Sequence, residues 1–265
     1  MTDQSLDDVL NGAMREEGGL RYAVPSGWTQ GRTAYGGFTA ALLLHAAMDG
    51  REELPPLRSA LVNFTGPVGD PPLVRSEMLR QGRNVTTINA RAEIAGQVAA
   101  QGTFSFGAAQ ESHISQECPA VSSPAPEETA PFFDGERRAP VAFFDNFETR
   151  IIEGALPFSG APRGYARVWS RHRAPAMWDR SEGLIAIADL LPPAVFPMFT
   201  KPGPNSSMTW ICNVLAPRPQ TRDGWWMVET DLTAAREGYS SQVMRMWNTD
   251  GELVVEGMQS VVVFV

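Results

Sequence analysis

Gly37-Phe-Thr-Ala-Ala-Leu-Leu-Leu-His-Ala-Ala-Met48 and Glu182-Gly-Leu-Ile-Ala-Ile-Ala-Asp-Leu-Leu191 are two helix-like runs, apolar nearly all round. A surface helix carries a polar stripe, so each run is expected to be wrapped by protein on most sides. The residues downstream of each run are also alike. The first run leads to a strand-like stretch closing on Phe64-Thr-Gly-Pro67, then to Arg80-Gln-Gly82 and a hairpin at Ala95-Gly96. The second leads to a strand closing on Val214-Leu-Ala-Pro217, then to Arg236-Glu-Gly238 and a hairpin at Asp250-Gly251. One unit written twice predicts two-fold pseudo-symmetry, and chemistry is to be sought where the copies differ.

Strand signals fill the rest of each unit. Ser241-Gln-Val-Met-Arg-Met-Trp247 alternates, turns at Asn248-Thr-Asp-Gly251, and continues from Leu253 to Val265. Asp-Gly between alternating runs is a strong hairpin signal. The Val-rich end reads as a central strand covered on both faces. A buried helix followed by a strongly curved antiparallel sheet is the hot-dog arrangement. The predicted class is therefore α+β, a double hot-dog in which two curved antiparallel sheets each wrap a central buried helix. The units fall at 1–106 and 141–265, the second carrying the candidate chemistry. Residues 107–140 are rich in Pro, Ser and Glu and read as a linker, because such a stretch buries too little apolar area to offset its ordering entropy. Residues 1–20 read as a short acidic helix with Leu6, Val9, Leu10 and Met14 as its apolar positions.

The bulk numbers narrow the function classes. Hydrophobic residues make up 43% of the 265 positions and charged residues 20%, as in ordinary globular proteins. A formal charge of −8 argues against a general nucleic-acid surface, which needs a cationic face. Two cysteines, Cys118 and Cys212, and three unclustered histidines predict no metal site. No apolar run approaches the ~20 residues of a membrane helix, and Met1-Thr-Asp-Gln-Ser-Leu-Asp-Asp8 lacks a signal-peptide core. The expectation is a cytoplasmic protein without membrane insertion.

Three polar differences separate the copies. Asp189 ends a helix otherwise built from Leu, Ile and Ala, whereas the first helix offers only His45. Taking a carboxylate out of water costs several kcal/mol unless it is bonded or protonated, so such an acid marks a candidate site. The bland alternative is a solvent-facing acid just before Pro192-Pro193, where the helix dipole disfavours it. Aligning Gly96 with Gly251 sets Phe104 opposite Gln259, an aromatic against an amide. Gln259 faces either a partner inside or solvent on an alternating strand. Third, in Asn205-Ser-Ser-Met-Thr-Trp-Ile-Cys212 period two puts Ser207 and Thr209 on one face, with Trp210 and Cys212 on the other. Cys212 then reads as buried filler, and His172 as a residue on a polar strand edge.

The chain resembles the bacterial acyl-CoA thioesterase II family over nearly its whole length. The resemblance is carried by Arg32-Thr-Ala-Tyr-Gly-Gly37, Ala188-Asp-Leu-Leu-Pro192, Ser207-Met-Thr-Trp-Ile-Cys-Asn-Val-Leu-Ala-Pro217 and Asp250-Gly-Glu-Leu-Val-Val-Glu-Gly-Met-Gln259. In that family an Asp, a Thr or Ser, and a Gln hold the hydrolytic water, and the resemblance puts those places on Asp189, Ser207 and Gln259. Family members commonly have Thr where this chain has Ser207, and often an acid where it has Thr209, so Thr209 stands as a substitute hydroxyl. The resemblance implies hydrolysis of an acyl-CoA thioester without a cofactor. In such a mechanism Asp189 would act as general base or, by a covalent route, as nucleophile, and Gly36-Gly37 would either aim a helix N-terminus at the oxyanion or substrate or simply make a tight entry into a buried helix. Arg163, Arg167, Arg171 and Arg173 either meet coenzyme A phosphates or are simply solvated, and Trp178, Phe196, Met198 and Phe199 either line an acyl tunnel or are core. Two alternatives stay open: a non-catalytic acyl-CoA or acyl-ligand binding hot-dog protein, and a hot-dog hydratase. Exposed sheet edges leave a homo-oligomer open too.

Overall fold

The computed structural model describes residues 4–16, 18–116, 118–133, 141–216 and 219–264. Part of the expected linker (117 and 134–140), the strand-closing Pro217 and the C-terminal Val265 lie outside the described residues. Three helices matter. Helix α1 is Leu6–Asn11, α2 is Gly36–Met48 and α3 is Ser181–Ala188. Ten long strands are numbered in chain order. They are β1 (Leu57–Phe64), β2 (Leu73–Gln81), β3 (Val85–Ile94), β4 (Gln97–Gly107), β5 (Phe147–Gly154), β6 (Tyr165–His172), β7 (Asn205–Val214), β8 (Trp226–Arg236), β9 (Tyr239–Trp247) and β10 (Leu253–Val263).

The two apolar helices are enclosed as their composition requires. Leu42, Leu43 and Leu44 of α2 occupy three successive directions around one turn, and all are fully buried. Only a helix with protein on every side can do this, and burying each such side chain contributes roughly 1.5–3 kcal/mol. In α3 every residue from Glu182 to Ala188 is buried. The short N-terminal helix starts at Ser5, which makes a reciprocal capping box with Asp8. It buries Leu6, Val9 and Leu10, but Met14 has already left the helix and is exposed.

The architecture is the α+β hot-dog arrangement with two central helices, but the expected pair of sheets is a single one. Its order is Met14–Glu16, Gly19–Arg21, β2, β3, β4, β1, β7, β10, β9, β8, β6, β5, Ala130–Pro131. The halves meet where β1 pairs antiparallel with β7, from Asn63 opposite Thr209 to Ser59 opposite Asn213. Separate sheets would leave two rows of unpaired N–H and C=O groups there, and edge-to-edge pairing satisfies both.

Three local expectations also change. Strand β10 is central in order, between β7 and β9, yet it alternates. Gly257, Gln259 and Val261 point inward while Met258 is exposed, so only one face is fully covered. His172 is not on a polar edge; it is buried, and its Nε2 lies 2.9 Å from the Gly183 carbonyl oxygen. The linker is tied down in its described part. Trp169 Nε1 donates to the Pro124 carbonyl at 2.9 Å, and Ala130–Pro131 forms the last strand beside β5.

Candidate active site

The site begins where the start of α2 lies beside the end of α3. The Tyr35 hydroxyl, just before α2, donates to the Ala186 carbonyl of α3 at 2.6 Å. A Cβ on Gly37 would collide with that carbonyl and with the Tyr35 hydroxyl, so only glycine permits the approach. The positive N-terminal end of α2 is thereby brought to the C-terminal end of α3, where Asp189 is the C-cap residue.

Asp189 points inward and is buried. Its carboxylate accepts the Gly37 N–H and the Gln259 amide, with Gln259 Nε2 donating to Oδ1 at 2.8 Å. A Cβ on Gly36 would sit 2.5 Å from Asp189 Oδ2 and 3.3 Å from Phe64 Cζ, so Gly36 keeps the second carboxylate oxygen uncrowded. Burial pushes the Asp189 carboxyl from 3.8 up to about 7, against the opposing pull of the Gln259 and Gly37 bonds. Asp189, Gln259, Gly36 and Gly37 thus converge. The solvent-facing alternatives for Asp189 and Gln259 are both excluded by their burial.

The hydroxyls fall out differently from the period-two count. A β-bulge at Met208 lets Ser207 pair with Val261 and Thr209 with Ser260. Directly paired residues share a face, so Ser207 lies on the inner face with Val261 and Gln259. The bulge therefore puts Ser207 on the same side as Trp210 and Cys212, not opposite them. Thr209 is exposed on the other face and is not available as the substitute hydroxyl. Ser207 is half-buried, and among the described residues no hydrogen bond joins its hydroxyl to Asp189 or Gln259.

A second amide, Gln242 on β9, is not singled out by strand alternation and lies in the site. It is fully buried opposite Gln259, and its Nε2 donates to Gln259 Oε1 at 2.9 Å. The hairpin count holds the signal. Gln242 stands eight residues before Asp250 and Gln259 eight after Gly251, so a symmetric hairpin pairs them.

The remaining candidates take structural places. Burial pushes the Cys212 thiol up to about 12, with the Asp189 charge adding to the effect, so it is no nucleophile. Burial holds His172 down to about 4, hence neutral, bonded to a peptide carbonyl rather than a carboxylate. His45 Nδ1 is 2.7 Å from the Tyr22 hydroxyl. Arg163, Arg167 and Arg171 are in ion pairs with Asp231, Glu229 and Glu148, and Arg173 donates to the Asp145 carbonyl. Phe196 packs with Val195, Val261 and Val263, against which Phe158, Phe199 and Leu232 rest, forming an apolar wall along the strand that carries Gln259. Met198 is exposed and Trp178 is anchored to the His172 carbonyl, so neither belongs to that wall.

Comparison with known proteins gives the family and the fold. Residues 24–107 match the acyl-CoA thioesterase N-terminal domain, and residues 116–263 match the acyl-CoA thioesterase C-terminal domain. No curated protein matches the chain. Among solved structures it is similar to a conserved protein of unknown function with a hot-dog fold from Alicyclobacillus acidocaldarius. The identity there is 23% and the TM-score 0.86, over 100% of this chain and 99% of that one. An acyl-CoA thioesterase II from Mycobacterium marinum is 20% identical with a TM-score of 0.76, over 98% of each chain. The tesB protein of Mycobacterium avium subs paratuberculosis is 18% identical with a TM-score of 0.76, over 99% of this chain and 100% of that one. At these identities the likeness to the solved structures establishes the fold.

Proposed function

Because the chain belongs to the acyl-CoA thioesterase family, we propose that it hydrolyses an acyl-CoA thioester to the free acid and coenzyme A, with Asp189 as the general base. The observation that carries this reading is one buried carboxylate that accepts a helix N-terminal N–H and a side-chain amide. Those two donors keep part of the carboxyl ionised near neutral pH despite its burial, which is the compromise a general base needs.

The reaction balances on these groups alone. A water oxygen attacks the thioester carbonyl carbon while Asp189 takes one of its protons. The carbonyl π electrons move to oxygen, giving a tetrahedral anion. That anion collapses, the C–S bond breaks, and the departing sulfur receives the proton held by Asp189. Gln259 has a second amide hydrogen to orient the water, and Ser207, on the same face, supplies a hydroxyl. Gly37 donates to Asp189, which leaves the Gly36 N–H, one residue earlier in the same turn, for the developing oxyanion. The wall of Phe196, Phe199 and Val261 is apolar and suits the acyl chain better than the phosphates.

A thiol-release assay over a panel of acyl-CoAs tests the reading directly. The expected result is thiol release with kcat rising through an acid limb near pH 7 and falling about tenfold per pH unit below it, because only ionised Asp189 can accept the proton. Tight acyl-CoA binding without thiol release would instead identify a binding protein. New double-bond absorbance on enoyl-CoA would identify a hydratase. Between the two hydroxyls, Ser207→Ala is expected to lower kcat about tenfold, while Thr209→Ala, on the outer face, leaves it within about twofold. Equal effects of the two substitutions would remove Ser207 from the site.

A further inference from the structure

Gln242 is fully enclosed at the back of the candidate site, and its side chain joins two partners that differ in kind. The Ala194 peptide N–H, in the loop after Asp189, donates to Gln242 Oε1 at 2.6 Å. Gln242 Nε2 then donates to Gln259 Oε1 at 2.9 Å, and Gln259 Nε2 donates to Asp189 Oδ1 at 2.8 Å. A side-chain amide can sit either way round, because its oxygen and nitrogen ends have nearly the same shape. A peptide N–H has no such choice; it only donates. Anchoring the Gln242 oxygen on Ala194 commits the Gln242 nitrogen to Gln259. That in turn commits the Gln259 oxygen to Gln242 and turns the Gln259 nitrogen toward Asp189.

We propose that Gln242 is a positioning residue: it fixes the Gln259 amide with its donor end toward the Asp189 carboxylate, and takes its own direction from the Ala194 N–H. The proposal rests on the reading of Asp189 and Gln259 as the water-activating pair. The ring closes on itself, because Asp189 and Ala194 belong to one stretch of chain held stiff by Pro192-Pro193. Base, loop and two amides therefore keep one another in register.

The polarity matters for the chemistry. A Gln259 turned over would present its oxygen to the carboxyl, an arrangement that favours the protonated acid and disfavours the base. Other ionisable groups do not mask this effect. Tyr35, just before α2, and Cys212, from β7, are the ionisable side chains that feel the Asp189 charge, and burial raises both, so both stay neutral at working pH. The other close neighbours are Gly36 and Gly37 of α2 and Phe64 of β1, which carry no side-chain charge.

Two variants break the relay in different ways. Gln242→Met keeps most of the volume and has no strong donor or acceptor. Gln242→Asn keeps an acceptor for Ala194 but is one methylene too short for Gln259. Titration of the Asp189 carboxyl by 13C NMR on Asp-labelled protein, assigned with Asp189→Asn, reads the effect without any turnover. The expected midpoint is about 7 in wild type and higher by about half a pH unit or more in both variants. On an acyl-CoA substrate, kcat at pH 7 is expected to fall about tenfold with KM within about twofold, and the acid limb to move with the NMR midpoint. A midpoint and limb that stay in place in the folded variants overturn the proposal even if the melting temperature drops, since a merely structural role lowers stability alone. If Gln242→Met does not fold, Gln242→Asn decides by the same criterion. Should the wild type release no thiol from any acyl-CoA, the functional reading fails while the titration still decides what Gln242 does.

Discussion

Asp189→Asn is expected to lose about a thousandfold in kcat and, above neutral pH, to melt at a higher temperature than the wild type. On the proposed general-base role, the loss comes from removing the one group, among the described residues of the site, placed to take a proton, since positioned acid–base groups contribute roughly 10²–10⁴-fold. The gain in stability comes from linkage. The Asp189 carboxyl titrates at about 7 when folded and at the ordinary 3.8 when exposed. Its folded pKa is raised, so the stability it contributes is fully present below the unfolded value and is lost as pH rises from about 4 through 7. At pH 8 that loss is on the order of 4 kcal/mol. An asparagine never ionises and escapes it, although exchanging one carboxylate oxygen for an NH2 group weakens the bonding from the donors that face Asp189, which trims the gain. The expected difference in melting temperature is small at pH 5 and roughly 5 °C or more at pH 8.5. Kinetics and calorimetry across that range check both halves. A variant that keeps its turnover sinks the general-base assignment, and one whose advantage over the wild type is no larger at pH 8.5 than at pH 5 shows that the carboxyl is not strained by burial.

Much of this arrangement is written in local sequence. Leu42-Leu43-Leu44 cannot sit on a surface helix, and Asp189 cannot lie at the end of such a helix without either a partner or solvent. The Asp-Gly turn likewise marks the last hairpin, but alternation alone leaves open whether Gln259 faces inward or outward. The features that escape such reading are non-local or break a period. The bulge at Met208 adds one residue to a strand, and a single inserted residue swaps every side chain beyond it to the other face, which is why Ser207 and Thr209 part company. The pairing of β1 with β7 joins residues some 150 positions apart, and no local pattern distinguishes two sheets meeting edge to edge from two sheets kept separate. His172 carries no sign of burial in Ser170-Arg-His-Arg173, because its partner is a peptide carbonyl supplied by α3. Gln242 is hidden for a different reason. An amide on an alternating strand looks like an outward residue, and only the register of the hairpin turns it toward Gln259.

Gln259→Ala is expected to slow turnover by between ten- and a hundredfold, about 1.4 to 2.7 kcal/mol of barrier. Three losses combine. The attacking water loses a donor that orients it, Asp189 Oδ1 loses the amide that favours its ionised form, and Gln242 Nε2 is left buried without an acceptor. The first lowers kcat at every pH. The second moves the acid limb upward, so the deficit widens below pH 7 and narrows above it. The third acts on stability, by roughly 1–3 kcal/mol for an unpaired buried donor plus the cost of the cavity. These signatures separate the catalytic role from a packing role. A core amide would show the drop in melting temperature with kcat and its pH dependence unchanged, and that outcome would leave Asp189 without its partner. Gln259→Glu sharpens the distinction, since it preserves volume but sets a second acid against the first. Two carboxyls at hydrogen-bond distance cannot both ionise in a buried site, so the pair holds one proton well above pH 7. Hydrolysis by this variant should then recover only toward alkaline pH, with an acid limb displaced by about one pH unit or more from that of the wild type.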